Sequence, residues 1–351
     1  MARRGDEMAV RVGINGFGRI GRNYLRALLA LDSLGNGSDI ELVAVNDMVK
    51  KDVLAYLLEH DSTYGRLGHE VEETPSGIRV AARDVALLSE PDPKAIPWGD
   101  LGVEVVVEST GRFTTRSAAA AHLRSGVSRV IISAPSGDAD ATFVVGVNDA
   151  DFDPAAHVVV SNASCTTNCL VPMVKVLDEA FGLRQGLMTT VHAYTNDQQL
   201  LDLGRDNLRR ARAAAVNIVP STTGAARATS LVLEAMKGRL DGQSLRVPVV
   251  DGSITDLTAV VGAAVTVDEV NGAFRLAASS GRLANVLDYN EDQIVSSDIV
   301  GRAASCTFDS TLTMVIGLDD SATLVKVLGW YDNEWGYANR LVDLCRVVGA
   351  R

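Results

Sequence analysis

The sequence predicts two domains: an α/β domain built on a parallel sheet, then an α+β domain whose sheet is mostly antiparallel. Three observations carry this. Short apolar runs of strand type alternate with helical runs over residues 10–145, the pattern of a parallel sheet covered on both faces. A glycine-rich turn, Gly16-Phe17-Gly18-Arg19-Ile20-Gly21, joins the first such run to the first helical one. Beyond residue 240, strand-like segments at 245–249, 254–261, 311–316 and 324–329 are grouped around a single helical run, 267–278, a grouping that favours antiparallel pairing. At 351 residues, two domains are also what chain length leads one to expect.

Taken in order, residues 10–15 read as a short buried strand and residues 22–31 as a helix with apolar residues at helical spacing. The glycine pattern between them has the strand before it and the helix after it that make it a dinucleotide-binding fingerprint. Glycines allow a tight turn and let backbone approach a pyrophosphate resting on the helix N-terminus. Residues 32–39 are polar and glycine-rich, a surface loop, and residues 40–45 form a second strand ending in Asn46-Asp47. An acid at that position is placed for ribose hydroxyls, and its charge repels a 2′-phosphate, so NAD is expected rather than NADP. Strand-like runs follow at 103–107, 130–132 and 143–145, with a helical run at 118–123. Ser109-Thr110-Gly111 and Ser133-Ala134-Pro135 then fall at strand carboxyl ends, where open α/β sheets bind ligands.

The candidate nucleophile lies in Ser164-Cys165-Thr166-Thr167-Asn168-Cys169. A strand-like run at 157–160 precedes it, and a helical run to Phe181, stopped by Gly182, follows. Ser164 suits an N-cap, which puts Cys165 in the first helical turn. Exposed N–H groups and the helix dipole there favour a thiolate and predict a lowered thiol pKa. Cys169, one turn on, is expected in the core. A strand over 187–191 leads to His192, one of only five histidines and the candidate base. Residues 196–219 are polar and rich in arginine, too long for an ordinary connection and so read as a functional or interface segment. Pro220 to Gly224 is expected to open a helix running to about Lys237, and residues 338–348 a terminal helix.

Composition narrows the function classes. The chain is 47% hydrophobic and 22% charged with a net charge of −11, which argues against a nucleic-acid partner. Four cysteines without paired spacing indicate a reducing compartment. Residues 1–7 lack the apolar stretch of a secretion signal, and no apolar run has the length of a membrane span, so a cytoplasmic protein is expected. No metal-ligand cluster is evident.

Five motifs occur in order: Gly16-Phe17-Gly18-Arg19-Ile20-Gly21-Arg22; Ser164-Cys165-Thr166-Thr167-Asn168; His192-Ala193-Tyr194-Thr195-Asn196-Asp197-Gln198; Leu208-Arg209-Arg210-Ala211-Arg212-Ala213-Ala214-Ala215; and Trp330-Tyr331-Asp332-Asn333-Glu334. Together, from about Val10 to the end, the chain resembles the phosphorylating glyceraldehyde-3-phosphate dehydrogenases. The resemblance implies an NAD-binding Rossmann domain over 1–164, a catalytic domain over 165–333, and a helix at 334–351 returning to the first domain. It implies a homotetramer, with the arginine-rich stretch near the cofactor at a subunit interface. It implies oxidation of glyceraldehyde 3-phosphate with NAD and inorganic phosphate. Cys165 would be the nucleophile, and His192 the base and ion-pair partner. It assigns Gly16, Gly18, Arg19, Ile20, Gly21, Asp47, Thr110, Ser133 and Asn333 to the cofactor. It assigns Thr195 and Arg246 to one phosphate, and Ser164, Thr166, Arg210, Thr223 and Gly224 to the other. Departures from the family pattern are Pro91 where an arginine usually packs near adenine, with Arg83 upstream, Met48 for leucine, and Gly204 for proline. An erythrose-4-phosphate dehydrogenase and a redox-sensing binding protein using Cys165 are the alternative readings.

Overall fold

The computed structural model describes residues 9–35, 39–124, 126–317 and 322–349. The N-terminal segment 1–7, residues 36–38 of the expected polar loop and residues 350–351 of the expected C-terminal helix lie outside the described residues. The chain divides into two compact units. One comprises Met1–Phe143, Asp149–Ala163 and Ala338–Arg351; the other comprises Val144–Asn148 and Ser164–Tyr337.

The first unit is built on a nine-stranded sheet. Its order is Ala141–Thr142, Val159–Ser161, Arg129–Ile132, Val105–Glu108, Val10–Asn15, Ile40–Asn46, Arg83–Leu88, Gly77–Val80, Val71–Glu73. All neighbours pair in parallel except along the last two strands, which form an antiparallel edge. Val10–Asn15 sits between Ile40–Asn46, the next strand of the sheet in sequence, and Val105–Glu108, which arrives much later. That reversal of order opens a crevice at the strand carboxyl ends, at Asn15, Asn46 and Glu108. The central strands are buried on both faces, as apolar runs such as Val105-Val106-Val107 require.

Helix Arg19–Ser33 begins three residues before the expected start, because the glycine turn itself supplies the first helical turn. Gly16 has φ +98°, and a side chain there would meet the Ser109 and Thr110 backbone at 2.7 Å. A Cβ on Gly21 would lie 2.4 Å from the Gly16 carbonyl oxygen, whereas one on Gly18 would meet nothing within 4 Å.

The second unit holds an eight-stranded sheet. Its order is Val219–Thr222, Leu240–Val247, Leu183–Ala193, Ser253–Val261, Leu324–Tyr331, Cys306–Asp309, Leu287–Asn290, with Met314–Ile316 also on Leu324–Tyr331. Most pairings are antiparallel; Leu183–Ala193 with Leu240–Val247 is a parallel exception. Strict alternation of burial along Ser253–Val261 gives the sheet one core face. Helix Cys165–Phe181 lies on that face, where Leu170, Met173, Val174 and Leu177 pack with Leu257, Phe274, Phe308, Val325 and Val327. Phe274 and Phe308 stack with ring centroids 3.8 Å apart.

Several local expectations are corrected. The strand expected at 143–145 does not form: the chain leaves the sheet after Phe143 and turns over 145–148, with the Asn148 side chain accepting the Val144 N–H at 2.9 Å in place of a strand partner. The run at 118–123 is only a short turn of helix, Arg116–Ala119, followed by a 3-10 turn. The single helix expected from Pro220 is divided. Val219–Thr222 pairs as an edge strand, where proline's missing N–H is tolerated, and Ala225–Val232 is the helix. Residues 311–316 split because Asp309 accepts the Thr311 N–H at 3.1 Å and its hydroxyl at 2.6 Å, which turns the chain before Met314–Ile316. Helix Lys51–Glu59 and the strands at Gly77–Val80 and Arg83–Leu88 were not legible as elements.

The glycine turn yields a prediction. Gly21→Ala forces overpacking against backbone and should destabilise the fold by about 1–3 kcal/mol, read as a fall in the urea midpoint. Gly18→Ala should leave the midpoint unchanged. Equal effects of the two would contradict this reading of the turn.

Candidate functional site

In the first unit, the crevice at the strand ends is a cleft of about 330 Å³ lined by Asn15, Gly16, Gly18, Asn46, Asp47, Met48, Val49, Glu90, Pro91, Ser109, Thr110, Arg112 and Phe113. Asp47 closes the glycine turn: Oδ2 accepts the Phe17 N–H at 2.7 Å and Oδ1 the Val49 N–H at 2.9 Å. Thr110 donates from its backbone N–H at 2.8 Å and its hydroxyl at 2.5 Å to Glu108 Oε1. The side chain of Arg19 pairs with Asp61 and lies over the Tyr64 ring. Arg19 and Ile20 stand in the first turn of helix Arg19–Ser33. Ser133 follows the Arg129–Ile132 strand, its N–H on the Glu108 carbonyl at 2.9 Å. Pro91 lines the cleft, while Arg83 is held by Asp32 at 2.7 Å and by the Ile40 carbonyl at 2.9 Å. Gly18, whose Cβ would enter open space, fits close approach of a pyrophosphate. Glu90 and Arg112 also line the cleft; neither carries a motif that would mark it in the sequence.

In the second unit, the Ser164 hydroxyl caps helix Cys165–Phe181, accepting the Thr167 N–H at 3.0 Å. Such a cap contributes about 1 kcal/mol. Immediately before it, Ala163 takes a left-handed φ of 55°, a conformation costing a non-glycine residue roughly 1–2 kcal/mol. Cys165, half-buried in the first turn, has Sγ 3.5 Å from His192 Nε2. Cys169 is fully buried, its thiol on the Gly329 carbonyl at 3.4 Å.

His192 stands near the end of strand Leu183–Ala193, in register with Arg246 on the parallel neighbour. Arg246 Nη1 lies 2.6 Å from His192 Nδ1 and donates to the Ala193 carbonyl at 3.1 Å. Nδ1 also lies 2.7 Å from that carbonyl. Two tautomers share this geometry. With Nδ1 accepting from Arg246, the ring hydrogen sits on Nε2 and faces sulfur. With Nδ1–H bonded to Ala193, Nε2 is open to take a proton from sulfur.

The expected low thiol pKa is corrected. Burial pushes the Cys165 thiol up to about 11, against the lowering effects of the Arg246 cation and the Thr166 N–H. Burial, then the same cation, brings His192 down to about 3, opposed by its bond to Ala193. Desolvation of each group outweighs the helix N-terminus, so the resting pair is thiol and neutral imidazole.

Tyr331 completes the site and was not singled out as a site residue. Its hydroxyl bonds Thr166 Oγ1 and Thr190 Oγ1, both at 2.8 Å, and its ring meets His192 edge-on at 5.8 Å. Its position inside the Trp330-to-Glu334 motif was the available signal. Asn333 Oδ1 accepts from Ser253 Oγ at 2.6 Å, and the same oxygen of Ser253 accepts the Ala193 N–H at 3.1 Å. Among the phosphate candidates, Thr195 and Arg210 meet through Asp197, another acid that sequence reasoning missed. Thr195 donates its hydroxyl to Asp197, and Arg210 Nη1 donates to Asp197 Oδ2 at 2.8 Å. Thr223 accepts the Ala225 N–H at 3.2 Å, beside Gly224 at the start of helix Ala225–Val232.

Residues 10–116 match the family model described as glyceraldehyde 3-phosphate dehydrogenase, NAD binding domain. Residues 164–333 match the corresponding C-terminal domain. A curated glyceraldehyde-3-phosphate dehydrogenase of Streptomyces coelicolor is 58% identical over 342 residues, 97% of this chain and 99% of that protein. One from Mycobacterium tuberculosis is 56% identical over 344 residues, again 97% and 99%. Glyceraldehyde-3-phosphate dehydrogenase 2 of Streptomyces arenae is 53% identical over 343 residues, 98% and 99%.

Arg246 tunes both members of the pair in the same direction. Arg246→Ala should therefore move the alkaline arm of Cys165 alkylation by iodoacetamide to higher pH and let His192 take its proton at higher pH. An alkylation profile that does not move would refute the assignment of Arg246 as the charge governing this pair.

Proposed function

The chain belongs to the glyceraldehyde 3-phosphate dehydrogenase family, and from that premise we propose that it oxidises D-glyceraldehyde 3-phosphate to 1,3-bisphosphoglycerate with NAD and inorganic phosphate, as a glycolytic or gluconeogenic enzyme. The observation that carries the reading is Cys165 Sγ 3.5 Å from His192 Nε2 at a capped helix N-terminus, with Arg246 on the far side of the ring.

Cys165 sulfur attacks the aldehyde carbon and forms a thiohemiacetal. His192 Nε2 takes the thiol proton as the carbon–sulfur bond forms and returns it to the carbonyl oxygen, giving the thiohemiacetal hydroxyl; in the oxidation step the same nitrogen, neutral again, removes that hydroxyl proton. NAD, when bound, accepts the hydride lost from that carbon. The thioester left on Cys165 is attacked by phosphate, the carbon–sulfur bond breaks, and the acyl phosphate leaves while sulfur departs as thiolate. Thr195 and Arg246 are proposed for one phosphate, and Ser164, Thr166, Arg210, Thr223 and Gly224 for the other; an arginine fork and helix N-termini suit both anions. An anion engaging Arg246 draws the guanidinium from Nδ1 and frees that nitrogen to donate to Ala193, the tautomer a base requires.

Gly16, Gly18, Arg19, Ile20, Gly21, Asp47, Thr110 and Ser133 are proposed to hold the cofactor, with Asn333 offering its amide to the nicotinamide carboxamide. Asp47 at the end of the second strand favours NAD over NADP by repelling a 2′-phosphate. Cys169, which the redox-sensor alternative could use as a nearby thiol, is fully buried. A cytoplasmic location is proposed; no helix among the described residues is long and apolar enough to cross a membrane. A homotetramer is also proposed. Leu200, Leu201, Leu203, Leu208, Val216 and Ile218 stand 63–84% exposed on the arginine-rich stretch, and a patch of that kind marks a protein interface. Sedimentation at four chain masses is expected, and a stable, active monomer would overturn it.

Cys165→Ser should abolish NADH formation. His192→Asn should slow it by about 10²–10⁴-fold, the usual contribution of a positioned base. Turnover should require inorganic phosphate. Wild-type rates from either variant, or turnover without phosphate, would sink the mechanism.

A further inference from the structure

Beneath the cleft of the first unit lies a buried polar relay that the mechanism does not use. Glu108 is 2% exposed and His122 fully buried. Four donors converge on the Glu108 carboxylate. Thr110 gives its N–H and hydroxyl to Oε1 at 2.8 and 2.5 Å. Asn15 Nδ2 and His122 Nε2 reach Oε2 at 2.7 and 3.0 Å.

Each donor whose direction could reverse is pinned from behind by a group that can only donate. The Trp98 indole N–H occupies His122 Nδ1 at 3.1 Å, so the ring hydrogen is on Nε2. Asn15 Oδ1 accepts from Asn46 Nδ2 at 2.8 Å, and Asn46 is itself oriented by the Glu90 N–H on its Oδ1 at 2.8 Å. The Thr110 hydroxyl oxygen accepts the Arg112 N–H at 3.1 Å. All hydrogens therefore point inward, and only a group accepting on both oxygens satisfies them.

We propose that Glu108 is a positioning residue for the dinucleotide: through Asn15 and Thr110 it fixes the two strand ends on the cleft floor, and Trp98 and His122 fix Glu108 in turn. This rests on the reading that the cleft holds NAD.

The test exploits the direction of the hydrogens. In E108Q the amide NH₂ faces a donor whichever way it is turned. KM and Kd for NAD should rise about tenfold, with kcat at saturating NAD changed less than twofold. Adding W98F releases His122 Nδ1, so the ring hydrogen can move there and Nε2 can accept from the new amide. The double variant W98F/E108Q should recover part of the lost affinity, because Asn15 Nδ2 still faces the new amide. Losses that simply add would overturn the proposal, as would E108Q binding NAD like wild type. D47A separates the two levels. Weak NAD binding by D47A beside normal binding by E108Q removes the relay but keeps the cleft; normal binding by both removes the cleft assignment. Should E108Q fail to fold, ¹⁵N-histidine spectra of the wild-type holoenzyme decide. One buried imidazole of the Nε2–H tautomer, perturbed in W98F, is expected; an Nδ1–H or doubly protonated His122 refutes the relay.

Discussion

The sulfur of Cys165 has to become an anion in a site that is only partly hydrated, and the catalytic unit is arranged around that conflict. With the thiol near 11 and the imidazole near 3, moving the proton from sulfur to nitrogen with each group treated alone costs on the order of 10 kcal/mol. Attraction between the resulting charges at 3.5 Å returns about 5 kcal/mol at the effective dielectric of a protein site. A half-buried nucleophile of this kind rests as a thiol and is activated as substrate arrives.

Arg246 is the hinge of that arrangement. It lowers the thiol and the imidazole together, so in the resting chain it favours thiolate while opposing the imidazolium that must accept the proton. Occupation of the arginine by an anion relieves its opposition to the imidazolium and withdraws its support of the thiolate. Tyr331 holds the geometry while charges move, tying Thr166 of the cysteine helix and Thr190 of the histidine strand through one hydroxyl.

The first unit handles polarity differently. It contains a buried carboxylate facing neutral donors, each of which is oriented by a neighbour. Such a network fixes geometry because any member turned the wrong way leaves a buried donor unsatisfied, at about 1–3 kcal/mol. The glycine turn meets the same cleft from above with backbone alone.

Much of this protein was already determined by local sequence. Val10 to Asn15, the glycine turn and the helix after it form because chain neighbours suffice: an apolar run, a residue free to take φ +98°, and apolar spacing of a helical period. Ser164 before Cys165 likewise specified a capped helix and a cysteine in its first turn. Tertiary structure alone decided the rest. The division of residues 219–236 into strand and helix depends on a distant strand at Leu240–Val247. The partnership of His192 with Arg246 comes from parallel register across 54 residues. The sign of the Cys165 shift depends on desolvation, and desolvation is a property of everything packed around a side chain, which no local pattern of residues records.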